Sequence, residues 1–113
     1  MTSIGIVGCG AVGQALLKAS ETGTITLPIA GITSRTEKTA KAFLSTLKNP
    51  PAYCSREELI ANADLMVEAA GGDVVPDLSR ATFEAGKDLM AISIGALLDH
   101  PEILEMAKER EGI

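Results

Sequence analysis

The turn Gly8-Cys9-Gly10-Ala11-Val12-Gly13 constrains this chain more than any other stretch. The apolar run Ser3-Ile4-Gly5-Ile6-Val7 leads into it, and Gln14 to Ala19, helix-forming in composition, follow. Between a strand and a helix, each glycine relieves a different conflict. Gly8 permits the tight turn off the strand, Gly10 leaves backbone bare to a ligand, and Gly13 lets the helix approach the sheet. The helix start presents unpaired N–H groups and the positive end of its dipole, so a pyrophosphate suits it. The motif predicts a dinucleotide site; a plain strand-to-helix turn is the other use of the same pattern.

The rest of the chain alternates strand and helix, which implies a parallel sheet covered by helices. Strands are expected at Ser3–Val7, Pro28–Thr33, Ala52–Cys54, Leu65–Ala69 and Asp88–Ile94. The first helix runs over Ala11–Ala19 with Ala11, Val12, Ala15, Leu16 and Ala19 on one face. Ser34-Arg35-Thr36-Glu37 reads as a capping box for the second, which carries Ala40, Phe43, Leu44 and Leu47 and is stopped by Asn49-Pro50-Pro51. Ser55 to Glu58 is a second capping box, opening a short helix to Ala61. A further helix spans Val74–Ala85, with Val74, Leu78, Ala81, Thr82 and Ala85 inward and Gly86 as its stop. A last helix starts near Asp99-His100-Pro101-Glu102, with Ile103, Leu104 and Ala107 inward.

The pattern predicts an α/β, Rossmann-type doubly wound parallel sheet occupying residues 1–113 as one dinucleotide-binding domain. Gly112-Ile113, a helix stop before a β-branched residue, looks like the beginning of a sixth strand. The expectation is a sheet missing its last strand or strands, with an open edge that invites association.

Composition narrows the function classes. A net charge of −5 and scattered Lys and Arg disfavour a nucleic-acid partner, and no apolar stretch is long enough for a membrane span. With no Trp, one Tyr and two Phe, the core must be aliphatic. The two cysteines, Cys9 and Cys54, form neither a disulfide framework nor a zinc site and read as reduced thiols of a cytoplasmic protein.

Rossmann domains that prefer NAD place an acid about 20 residues past the glycines, against the ribose hydroxyls. Here that position reads Thr33-Ser34-Arg35-Thr36. A guanidinium among hydroxyls suits a 2′-phosphate, so NADP is favoured over NAD. The alternative is that Ser34 only caps a helix and Arg35 is solvated. Ala70-Gly71-Gly72 and Gly95-Ala96 read as small-residue loops after later strands, at the edge where such sheets bind ligands. Acid–base candidates are few: His100 reads as a capping or surface residue, and Glu68 as a strand-end polar group, with a site residue as the alternative.

IGIVGCGAVGQAL, ELIANADLMVEAAGGDVV and AGKDLMAISIGALLD together resemble the N-terminal half of L-aspartate dehydrogenases, in order along nearly the whole chain. Homoserine dehydrogenases are the nearest confusable relatives. The resemblance implies an NAD(P)-dependent oxidoreductase that converts L-aspartate to iminoaspartate, which hydrolyses to oxaloacetate or feeds nicotinamide cofactor synthesis. It implies that Gly8, Gly10, Ala11, Val12 and Gly13 bind the pyrophosphate. Ser34 and Arg35 would lie at the adenosine ribose, and Ala70, Gly71, Gly95 and Ala96 toward the nicotinamide. The family's catalytic histidine belongs to a C-terminal substrate domain beyond this chain, so His100 does not inherit that role. The chain alone is expected to be inactive, and the full-length enzyme to act as a homo-oligomer. A non-catalytic nucleotide-binding or redox-sensing module is the competing reading from another class.

Overall fold

The computed structural model describes residues 2–110. Four strands, β1 (Ile4–Val7), β2 (Ile29–Thr33), β3 (Leu65–Glu68) and β4 (Asp88–Ala91), form one sheet in the order β2-β1-β3-β4. All three pairings are parallel. The helices are α1 (Ala11–Glu21), α2 (Glu37–Leu44), α3 (Arg56–Asn62), α4 (Val75–Glu84), α5 (Gly95–Asp99) and α6 (Pro101–Arg110). After β1 the chain builds outward to β2, then returns to the other side of β1 for β3 and β4. The doubly wound expectation holds, and the order reverses between β1 and β3.

Alternation along β1 sends successive side chains to opposite faces. Ile6 joins Leu17, Ile32 and Leu44 beneath α1 and α2. Val7 joins Met66, Leu89, Leu59, Leu78 and Ile103 on the face covered by α3, α4 and α6. On the outer strand β4, Met90 is 55% exposed, and Ile92, Ile94 and Leu98 beyond it are exposed too. The expected sixth strand at Gly112-Ile113 lies outside the described residues.

Several local expectations are corrected. Ala52–Cys54 is not a strand: Tyr53 makes a single bridge to Ile32, through Ile32 N–H to Ala52 C=O and Cys54 N–H to Ile32 C=O. The two prolines before it lack N–H groups to extend a ladder. Ser34 does not cap α2. The N-cap is Thr36, and the Ser34 hydroxyl instead donates to the Thr36 carbonyl at 3.1 Å. The capping box of Ser55 and Glu58 forms as read.

The buried face of α1 is Gly13 and Leu17, whereas Val12 is 43% exposed. Gly13 sets that rotation, because a Cβ on it would lie 2.2 Å from the Gly8 carbonyl oxygen. Gly72–Val74 forms a 3-10 turn before α4, whose buried side chains are Val75, Leu78, Ser79, Thr82 and Phe83; Val74 and Ala81 are partly buried against the same core, and only Ala85 of the expected face is exposed. In α6, Ile103 and Ala107 are buried but Leu104 is exposed. β4 ends at Ala91, and Gly95-Ala96 is the first turn of α5 rather than a loop. The chain leaves the sheet there because the Ser93 N–H and hydroxyl both bond the Glu68 side chain.

Candidate functional site

A groove of about 690 Å³ lies at the carboxyl ends of β1, β2 and β3, where the strand order reverses. That crevice is where open parallel sheets bind ligands. Val7 and Gly8 enter it from β1, Thr33 and Ser34 from β2, and Ala69 and Ala70 from the turn after β3.

The glycine turn fits a close-lying pyrophosphate. Gly8 has φ +114, and a Cβ there would come within 2.5 Å of the Ala69 carbonyl oxygen. Only glycine adopts that backbone with that neighbour. Gly10 has nothing within 4 Å of where its Cβ would be, so its backbone borders open space. It is also the N-cap of α1 and offers no capping side chain. The first N–H groups of α1, from Ala11, Val12 and Gly13, precede the first helical bond, from Gln14 N–H to Gly10 C=O. Such N–H groups, aligned with the helix dipole, take an anion.

The groove lining carries two cations, Arg35 and Arg56, and two acids, Asp73 and Asp77. Arg35 lines the groove and donates from Nη2 to Asp73 at 2.8 Å, with both side chains mostly exposed. Arg56, from α3, adds a second cation to the lining. The Tyr53 hydroxyl pins the backbone here, donating to the Ser34 carbonyl at 2.8 Å and accepting from the Ser34 N–H at 3.3 Å.

Of the residues assigned from sequence, Gly8, Gly10, Ser34, Arg35 and Ala70 share the groove lining. Gly13 is buried behind Gly8. Gly71 is set back from the lining, Gly95 is exposed at the start of α5, and Ala96 is buried in the core beside Gly72.

Sequence reasoning missed Arg56, Asp73 and Tyr53, and it placed Glu68 at a strand end without finding its partners. Glu68 is fully buried. Its Oε2 accepts from the N–H groups of Ala70 and Gly71, each at 2.8 Å, and from Ser93 Oγ at 2.9 Å; its Oε1 accepts from Ser93 N–H at 2.9 Å. Burial opposes its charge, but the donors at Gly71, Ser93 and Ala70 outweigh that and hold its carboxyl below the usual Glu range. The available signal was an acid ending a strand otherwise made of core residues.

The groove lining holds no histidine, and His100 instead pairs with Glu102 through Nδ1 at 3.1 Å. Burial pushes the Cys9 and Cys54 thiols up, so both stay protonated, and both are free. Among the described residues no cluster of His, Cys, Asp or Glu is placed to hold a metal, and no helix is long and apolar enough to cross a membrane. Among the described residues, the groove lining places no nucleophile beside a base.

A parallel doubly wound sheet with a glycine-turn groove at its switch point defines a Rossmann-type dinucleotide-binding domain. Residues 8–112 match the family described as the NAD-binding domain of homoserine dehydrogenase, and the chain belongs to that family. Its cofactor is therefore NAD or NADP. An L-aspartate dehydrogenase of Methanocella arvoryzae is 36% identical over 113 residues, an alignment covering 96% of this chain and 42% of that protein. One from Methanosarcina acetivorans is 35% identical over 100 residues, covering 88% of this chain and 37% of that protein. The chain thus spans about two fifths of the length of the curated relatives it matches. A homoserine dehydrogenase structure from Thiobacillus denitrificans superposes with a TM-score of 0.81 at 17% identity, over 97% of this chain and 28% of that one, which shows the shared fold.

Proposed function

We propose that this chain is the cofactor-binding portion of an L-aspartate dehydrogenase, with NADP preferred over NAD. The observation that carries the reading is the groove itself, a bare glycine turn at one end and Arg35 at the other. The L-aspartate dehydrogenases at 35–36% identity support the choice of substrate.

Gly8, Gly10 and the first N–H groups of α1 hold the pyrophosphate. Ser34 and Arg35 face the adenosine ribose, where a guanidinium forks onto a 2′-phosphate and no carboxylate precedes it in the Thr33–Thr36 turn. Ala70 and Gly71 border the nicotinamide side; Gly95 and Ala96 support it from α5. Bound NAD(P) supplies the two-electron hydride acceptor that oxidation of an amino acid to its imino acid requires. The residues that bind L-aspartate and move its protons belong to a substrate domain supplied by the remainder of the parent enzyme, which acts as a homo-oligomer in the cytoplasm.

Calorimetric titration of NADPH and NADH against wild type and Arg35→Ala tests the cofactor assignment. Loss of the guanidinium should weaken NADPH about tenfold or more and leave NADH within about twofold, the cost of one charge-assisted contact. Equal losses overturn the assignment. The parent enzyme, assayed with L-aspartate and L-homoserine, decides the substrate. Reduction of NADP by L-aspartate with this chain alone would show that the catalytic residues lie within it after all.

A further inference from the structure

Glu68 ends a central strand, is fully buried, and does not line the groove. Its partners are three backbone N–H groups and one hydroxyl, and among the described residues no cation pairs with it. A buried carboxylate stays charged only with such a full set of donors. The location of those donors indicates what the arrangement does. Ala70 and Gly71 lie in the turn after β3, and Ser93 lies in the turn after β4, 25 residues from Glu68 in the chain. Both turns sit at the carboxyl edge of the sheet, where the groove opens. The turn after β3 is also pressed against the glycine turn, since the Ala69 carbonyl occupies the space a Gly8 side chain would need.

We infer that Glu68 is a positioning residue of the dinucleotide site. Its carboxylate clasps the turns after β3 and β4 together and so fixes the half of the groove that Ala69 and Ala70 line. The inference rests on the dinucleotide reading above. It also states what that half recognises. The N–H groups of Ala70, Gly71 and Ser93 are committed to Glu68, so they cannot donate to a ligand. With those donors spent, the half suits ribose hydroxyls and a carboxamide NH₂ better than another anion.

The test uses the whole chain and two readouts. Amide hydrogen exchange follows the clasp in the free protein, and calorimetry with ADP and with NADPH separates the two halves of the groove. In Glu68→Gln one acceptor oxygen becomes a donor facing donors. Exchange at Ala70, Gly71 and Ser93 should rise about tenfold or more while Ile6 stays protected, and NADPH affinity should fall about tenfold with ADP within about twofold. Ser93→Ala keeps the charge and removes one donor, and should give the same split at about two- to fivefold. It decides the matter if Glu68→Gln does not fold. Unchanged exchange, or equal losses for ADP and NADPH, overturns the role of Glu68 and leaves the dinucleotide reading standing. A wild-type chain that binds neither ligand overturns the dinucleotide reading and this inference with it, whatever the exchange shows.

Discussion

Glu68 and Asp73 are carboxylates five residues apart, on either side of one turn, and their surroundings could hardly differ more. Glu68 is fully buried and takes four hydrogen bonds from parts of the chain that must hold still. Asp73 is largely exposed and holds one flexible guanidinium. A buried acid whose donors are backbone shapes the fold around it, because each donor left unpaired carries its own desolvation cost. An exposed ion pair is screened and adds little to stability, but it sits where a ligand's charge arrives. One carboxylate builds the groove; the other modulates what enters it.

The largest difference should appear on removing Glu68. Glu68→Ala strands three N–H groups and a hydroxyl, and should cost about 3 kcal/mol in chemical denaturation. The charge also links stability to pH. Because the folded protein holds the Glu68 carboxyl below its unfolded range, the unfolded state takes up a proton first as pH falls. The stabilisation is complete above the unfolded Glu range and is lost as pH drops through the folded value. Asp64, through the Ser3 N–H, and Glu102, through its own N–H, are shifted the same way. The checking measurement is therefore the difference between wild type and Glu68→Gln from pH 6 to pH 3, which should shrink toward acid. A difference that grows toward acid would show that Glu68 is held neutral, and one independent of pH that folding leaves its carboxyl unshifted.

Gly8→Ala attacks the same turn from its other side. The new Cβ would need a backbone with φ near +114 and would overlap the Ala69 carbonyl, so about 2 kcal/mol should be lost. Because Gly8 and Glu68 both press on the turn after β3, the double variant with Glu68→Gln should lose less than the two losses summed. Strict additivity would separate the glycine turn from the clasp.

The asymmetry between the two acids also explains what was legible in the sequence. The glycine turn, four of the five expected strands and the capping box at Ser55 could be read because each is fixed by local rules: backbone sterics, period-two burial, side-chain capping. Arg35 was found by its distance from the glycines. The strand expected at Ala52–Cys54 failed because one bridge is all that the segment after Pro50-Pro51 can make. The cap expected at Ser34 failed because Tyr53, 19 residues on, holds the Ser34 backbone. Glu68 and Ser93 likewise meet across 25 residues, and β4 ends early on account of that contact. What sequence reading missed at the site was long-range and polar, where no periodicity marks the partners.

Asp73→Asn should produce the smallest effect, and the most specific. Arg35 and Asp73 pair at 2.8 Å with side chains 77% and 70% exposed, so stability should move by under about 0.5 kcal/mol. For a 2′-phosphate to engage Arg35, the guanidinium must leave Asp73, or share itself with a carboxylate that repels the phosphate. Removing that charge while keeping the side-chain shape should strengthen NADPH binding about two- to threefold and leave NADH unchanged, as expected from an exposed pair of this kind. Because the pair is exposed, the gain should fade as salt rises toward about 1 M, where charges are screened over about 3 Å. Weaker NADPH binding in Asp73→Asn would mean the opposite arrangement: the carboxylate would be holding Arg35 in position for the phosphate rather than competing with it.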